Sequence, residues 1–401
     1  MRILQVNNYG YIRGGSDRYF IDIGNLLARY GEDVEYLTTE NEKNIVKTRY
    51  LVKGIDTMHP ALSDLLRFFY SQDARKKVKK LITDKKPDIA HLHIYYGQIT
   101  SSILSVLKDA NIPIVQTLHE YKLFCPVSTF IRNGLVCEKC AGKKYWNCII
   151  YRCNRRNLLK SLIVALEAYV ADFLGAKGLI DHFIAVSNFV RSKMIDQGIQ
   201  ASKISTVYNF VPDDMFCKNH NRIGSYFLYY GRIEHIKGIG TLIKAMKSIK
   251  GTNLYIAGHG EAEDDLKRYA AKLGIRNVKF MGFKIGEELK QLIDGSICTI
   301  VPSECNETFG LTVVESFARG KPVIVSNMGG LPEIVMDGID GFIFQAGNVE
   351  ELSEKLNWFA MNLKKAEDMG MMGYKKAREK FTSERHYEEI MKIYRKVLRD
   401  V

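Results

Sequence analysis

Apolar runs of four or five residues alternate along most of the chain with longer segments whose apolar residues recur at helical spacing. Runs at 3–6, 34–37, 89–92, 114–117 and 182–186 predict strands in the first half. Runs at 226–230, 253–257, 278–281, 297–301, 322–325 and 341–344 predict strands in the second. Segments 17–30, 238–249, 262–273, 286–293, 312–318 and 349–359 between them predict helices. This order predicts an α/β chain of two Rossmann-like, doubly wound parallel-sheet domains facing a cleft. The pattern restarts near residue 225, after the polar stretch 212–225. We therefore expect a first domain at 1–212, a second at 213–382, and a basic last helix at 383–401 that packs back on the first. Ligands of such domains bind beyond the carboxyl ends of the strands, so chemistry is expected just after strands.

Composition narrows this picture. Among 401 residues, 46% are hydrophobic and 26% charged, which excludes a disordered or fibrous chain. No run approaches the ~18 apolar residues of a spanning helix. The first residues, MRILQV, read as a strand rather than a leader, so a cytoplasmic location is expected. The net charge of +13 is uneven: residues 1–212 hold 30 Lys and Arg against 19 Asp and Glu, and the rest is nearly balanced. A basic first half suits an anionic partner: a phosphorylated lipid, an anionic bilayer surface or nucleic acid.

The most informative segment runs from Pro302 to Glu315. Gly310 lets a backbone approach a ligand, and Leu311 and Thr312 open a helix whose first N–H groups can hold a phosphate. Glu307 precedes that helix and Glu315 lies a turn inside it; ionised carboxylates accept hydrogen bonds from sugar hydroxyls. Arg232 and Lys237 follow the 226–230 strand, where a guanidinium fork and an ammonium can neutralise a diphosphate. Gly14 and Gly15 follow the first strand, and His119 follows the 114–117 strand.

Taken together, G-R-x-x-x-x-K-G at 231–238, Glu307-x7-Glu315 and the pair Gly14–Gly15 resemble glycosyltransferase family 4, whose members have the GT-B fold. Gly258-His259-Gly260, Met281-Gly282-Phe283, Gly329-Gly330-Leu331-Pro332-Glu333 and the 318–323 segment match as well. The resemblance implies a retaining glycosyltransferase that takes a sugar from a nucleotide-diphosphate sugar, with UDP the commonest carrier, and needs no metal. It implies donor-phosphate binding by Arg232 and Lys237, sugar contact by Glu307 and ribose contact by Glu315. It further implies backbone contacts from Gly310, Leu311 and Thr312, a base bordered by Phe283 and Lys284, and a loop at Gly14 and Gly15 close to the diphosphate. His119 matches the family histidine near the reacting sugar, while Asp17 stands where the family has an acidic residue two positions after the glycine pair. The implied acceptor is a glycan or polyprenyl-diphosphate-linked molecule of surface-polysaccharide synthesis. A nucleotide-sugar epimerase on the same fold is the alternative enzyme. A basic nucleic-acid-binding module is the alternative outside enzymes, and it leaves Glu307, Glu315 and Arg232 without a role.

Five cysteines, Cys125, Cys137, Cys140, Cys148 and Cys153, fall in an insertion at about 120–155. Cys125, Cys137, Cys140 and Cys153 match an insertion seen in several relatives and form a candidate structural zinc set; redox-active or free thiols and an iron–sulfur centre are the other readings. Basic runs lie at 75–86 and 143–160, and a strongly apolar helical run at 158–174 follows them. That combination suits a peripheral contact with the cytoplasmic membrane face, or a solvated basic face beside a buried core helix.

Overall fold

The computed structural model describes residues 1–55, 62–217 and 224–400; residues 218–223 of the polar stretch 212–225 lie outside them. The chain divides into two compact units. One comprises Met1–Arg132, Cys137–Val207 and Tyr387–Val401; the other comprises Asn133–Val136 and Tyr208–His386.

The first unit is built on a seven-stranded sheet, every pairing of which is parallel. Its spatial order is Leu51–Val52, Asp33–Thr39, Arg2–Val6, Ile89–Leu92, Ile114–Leu118, His182–Ala185 and Ile204–Thr206. The chain enters at Arg2–Val6, builds towards one edge, returns, and builds towards the other. The two short strands, Leu51–Val52 and Ile204–Thr206, lie at the edges and are too brief to stand out as apolar runs.

The second unit repeats the scheme with six parallel strands: Val278–Gly282, Asn253–Ala257, Tyr226–Tyr230, Ser296–Val301, Val323–Ser326 and Gly341–Phe344. Ser296–Val301 and Val323–Ser326 are buried at every position, as expected of strands with helices on both faces. Phe227, Ile256, Ile300, Ile324, Leu352 and Phe359 form the heart of its core. Pro322 lies just before its strand rather than in it: it has no N–H to give, and its carbonyl accepts from the Thr299 amide at 3.1 Å.

The last helix, Ser383–Arg399, contributes its residues from Tyr387 onward to the first unit. There the Tyr394 hydroxyl meets His91 Nδ1 at 2.6 Å, and Tyr387 stacks on Tyr30 at 4.0 Å while donating to Glu32 at 2.8 Å. The helix Leu158–Phe173 is not a core helix. Its buried residues are Ser161, Ala165, Glu167 and Ala168, so its small and polar side faces inward.

Candidate active site

In each sheet the crevice beyond the carboxyl ends opens where the strand order reverses. In the second unit this point lies between Tyr226–Tyr230 and Ser296–Val301, and the loops after those strands carry the candidate residues. Lys237 Nζ and Glu307 Oε1 form an ion pair at 2.7 Å, with side chains only 15% and 19% exposed. Ser303 Oγ donates to the same carboxylate oxygen. Burial pushes the Glu307 pKa up, but Lys237, Ser303 and Arg232 outweigh it, and the carboxyl sits below its ordinary value. Burial likewise acts against the Lys237 ammonium, and Glu307 more than restores it. The site therefore holds a fixed carboxylate and a fixed cation side by side. Arg232 is exposed and pairs with Glu234 at 2.8 Å, while the Tyr229 hydroxyl holds the Arg232 carbonyl at 2.6 Å. Cys305, buried beside this pair, has its pKa pushed up to about 12, chiefly by burial, and stays a thiol.

The helix Leu311–Ala318 starts at Gly310, whose φ of +131° favours glycine, and no side chain caps it. Its first N–H groups have no intrahelical acceptor. Buried hydroxyls fix it: Thr299 Oγ1 donates to Ser316 Oγ at 2.7 Å, and the Tyr230 hydroxyl donates to the Thr312 carbonyl at 2.8 Å. Leu311 and Thr312 are half-buried at its mouth, and Glu315 is buried one turn in. Beyond the Val278–Gly282 strand, Phe283 is 54% exposed and meets His259 edge-on at 4.9 Å. Lys284 lies against Glu288 at 3.4 Å.

In the first unit, Gly14 precedes the helix Gly15–Arg29 with extended backbone, and nothing lies within 4 Å of where its Cβ would be. What the glycine leaves is open space before a helix start. Asp17, buried in that first turn, accepts from Asn7 Nδ2 at 2.9 Å and from the Arg13 amide at 3.2 Å, and so ties the loop ahead of Gly14. Burial raises its pKa above the ordinary carboxylate value.

His119 leaves the end of Ile114–Leu118 and stands in a row with His93 and His91. Burial pushes its pKa down to about 3, so it is a neutral imidazole. The hydrogen-bond partners assign the tautomers. His93 Nε2 lies 2.6 Å from Gln5 Oε1, which only accepts, so His93 carries its proton there. Its Nδ1 then accepts from His119 Nε2 at 3.1 Å. His119 is left with Nδ1 as its acceptor. Tyr19 packs edge-on against the same ring at 4.9 Å.

Ser303, Gln5 and Asn7 were not singled out by sequence. Each acts by touching a residue distant in the chain or in another turn, and ordinary Ser, Gln or Asn carries no mark of that.

The Cys148 thiol donates to the Ser161 carbonyl at 3.8 Å and neighbours Cys153; Cys148 lies in a small core with Tyr145, Ala165 and Ala168, against which Cys140 and Cys153 pack. Among the described residues no three His, Cys, Asp or Glu side chains are gathered to hold a metal ion. Cys125, Cys153 and Cys137 nevertheless lie near enough to Cys140 that, after burial, they push its pKa up to about 12.

This arrangement of sheets and strand-end groups is the GT-B one. The sequence profile of Glycosyltransferase Family 4 matches residues 13–215, and that of Glycosyl transferases group 1 matches 212–376. The chain belongs to glycosyltransferase family 4 and is a glycosyltransferase. It is similar to an uncharacterised glycosyltransferase of Methanocaldococcus jannaschii, 28% identical over 98% of both chains. It is also similar to the sulfoquinovosyl transferase of Arabidopsis thaliana, 26% identical over 87% of this chain and 64% of that one. Among solved structures, sucrose-phosphate synthase from Thermosynechococcus elongatus superposes over the whole of both chains with a TM-score of 0.76 at 17% identity. An Anabaena protein crystallised with UDP-glucose superposes over 98% of this chain and 99% of its own, with a TM-score of 0.67 at 19% identity. Among the described residues no helix is long and apolar enough to cross a membrane.

Proposed function

We propose that the chain transfers a sugar, with retention of configuration, from a UDP-sugar to a glycan or polyprenyl-diphosphate-linked acceptor in surface-polysaccharide synthesis. The carrying observation is the Lys237–Glu307 pair beside the uncapped start of Leu311–Ala318, at the switch point of the second sheet. The bond between the anomeric carbon and the β-phosphate oxygen breaks, and its electron pair passes to the phosphate. Lys237, Arg232 and the amides of Leu311 and Thr312 meet that growing charge. Glu307 accepts hydrogen bonds from sugar hydroxyls, and Glu315 accepts from the ribose. Phe283 and Lys284 border the base. The acceptor hydroxyl bonds to the anomeric carbon from the face the leaving group vacates, and its proton goes to a donor phosphate oxygen. His119, neutral and with Nδ1 as acceptor, positions a hydroxyl of the sugar, and Gly14 and Gly15 keep a helix start open to phosphate. The UDP-glucose bound in the Anabaena structure supports uridine as the base. The capsular polysaccharide biosynthesis glycosyltransferase of Staphylococcus aureus, 26% identical over 69% of this chain, supports the polysaccharide role.

A thermal-shift screen across nucleotide sugars, followed by transfer assays with the stabilising donor, tests this. Selective stabilisation by UDP-sugars and an acceptor-dependent product are expected. Stabilisation by another nucleotide class would remove uridine. Isomerisation of the donor sugar without any acceptor would instead make the chain an epimerase.

A further inference from the structure

The helix Leu158–Phe173 and the short helix Trp146–Ile150 packed beside it are arranged the wrong way round for a water-facing surface. A surface helix normally buries its apolar stripe and shows its polar one. Here Glu167 is turned inward, where it pairs with Lys122 at 2.6 Å. Ala165 and Ala168 line the same buried side. The large apolar side chains face out. Phe173 is 90% exposed, Leu159 65%, Ile150 62%, Trp146 49%, Leu166 42% and Tyr169 36%. Leu159, Leu166 and Phe173 follow at intervals of seven, so they form one stripe two turns apart on the helix. The Tyr169 hydroxyl accepts from the Trp146 amide at 3.1 Å, which joins the two helices into a single face.

The charge carried between Lys139 and Leu166 has one sign, and the acids just outside, Glu138, Glu167 and Asp172, are paired with Lys193, Lys122 and Lys177. Residues 139–166 contain Lys139, Lys143, Lys144, Arg152, Arg155, Arg156 and Lys160, and no Asp or Glu. All seven are exposed, and none takes part in an ion pair among the described residues. A contiguous apolar face of this kind marks an interaction site. Its partner must be apolar at the centre and anionic around it. Tyr and Trp at the margin, Leu and Phe along the stripe and exposed cations outside any ion pair match the boundary of an anionic bilayer, with the acyl region under the stripe and headgroup phosphates under the cations. At 16 residues the helix is about 24 Å long, so it lies along the surface rather than across it. We propose that this face docks the first unit on an anionic lipid bilayer. The docking goes beyond the transfer chemistry and is read without any nucleotide sugar.

Flotation of the full chain with vesicles tests it. Binding is expected to phosphatidylcholine vesicles doped with phosphatidylglycerol, little to phosphatidylcholine alone, with the affinity falling as salt rises. Phe173→Ser is expected to weaken binding by about tenfold or more. Lys143→Glu with Lys144→Glu is expected to weaken it similarly and to flatten the salt dependence. All three positions are exposed, so an unchanged unfolding temperature checks that each variant is folded. The chain has two tryptophans, and Trp358→Phe leaves Trp146 as the reporter. Its emission should shift to the blue on anionic vesicles and be quenched by brominated acyl chains. No binding to anionic vesicles at low salt, binding indifferent to Phe173→Ser, or an unquenched Trp146 would each overturn the proposal. A dimer in solution that Phe173→Ser dissolves, without vesicle binding, would assign the face to a second copy instead.

Discussion

Lys237 and Glu307, 70 positions apart, meet through a 2.7 Å ion pair largely shielded from water. In the protein without donor, each charge keeps the other ionised. On the proposed reading, a donor diphosphate arriving at Lys237 would take over part of the role Glu307 fills and free the carboxylate to receive sugar hydroxyls. We therefore expect Glu307→Gln and Lys237→Ala each to lower the transfer rate by about 100-fold or more. Removing one partner of a shielded pair also strands the other, so both variants should melt earlier than the double variant Lys237→Ala/Glu307→Ala. Steady-state rates and calorimetric melting of the three proteins check both statements. Near-normal rates in either single variant would remove the pair from the site.

Gly329 holds the Glu307 loop by leaving room for it. Its φ is +65°, and a Cβ there would come within 2.1 Å of the Glu307 carbonyl oxygen. The neighbouring Gly330 amide donates to that same carbonyl at 2.8 Å. Gly329→Ala should displace the loop and cost about 1–3 kcal/mol in folding. It should also lower kcat well beyond what that loss of stability explains. Activity measured on the fraction shown to be folded separates the two effects.

Several buried histidines make the fold acid-sensitive. Burial lowers the pKa of His93, of His119 to about 3, and of His182 and His386 to about 4. Unfolded, these rings take up protons below about 6.5. Folded, they resist until near their lowered values. Stability is thus fully present above about 6.5 and is lost as pH falls towards 4. His386 alone, hydrogen-bonded to the Tyr208 carbonyl, accounts for about 3 kcal/mol between those limits. Melting temperature followed across this range should fall steadily. His386→Gln should flatten the curve.

The Cys148–Cys153 pair should be the most reactive thiol site. Cys153 is half-buried and its pKa is lowered to about 7, first by the neighbouring Cys148 thiol and further by Arg132. Brief iodoacetamide treatment should label Cys153 first, with peptide mass spectrometry as the readout. Hydrogen peroxide should close the pair to a disulfide: Cys153 is oxidised to the sulfenic acid, and Cys148 displaces water from it, for a net loss of two hydrogens. Stoichiometric zinc in the purified protein, with Cys125, Cys137, Cys140 and Cys153 protected, would favour the metal reading.

Much of the architecture could be read from the chain because parallel strands advertise themselves. Runs such as 323–325 and 226–230 are apolar throughout, since helices cover both their faces. The two-residue strand Leu51–Val52 leaves no such trace. At the candidate site, residue types were legible but partnerships were not. Glu307 and Lys237 stood out by their surroundings in sequence, whereas Ser303 and Gly329 serve Glu307 through contacts that only the folded loop creates. Leu158–Phe173 shows a different limit. Its apolar residues predict a helix, yet the pattern does not say which side meets the core, and the side that does is the one with Ser161 and Glu167.

The stacking of Tyr387 on Tyr30 and the hydrogen bond from Tyr394 to His91 have a consequence for biosynthesis. The N-terminal sheet emerges early from the ribosome, but the wall that covers His91 is made hundreds of residues later. The early half must wait, incomplete, while the later sheet is synthesised and folds. Only when the stretch beyond Tyr387 leaves the exit tunnel can the first half close, so a prematurely terminated chain is left with a cold, open flank for proteases to find.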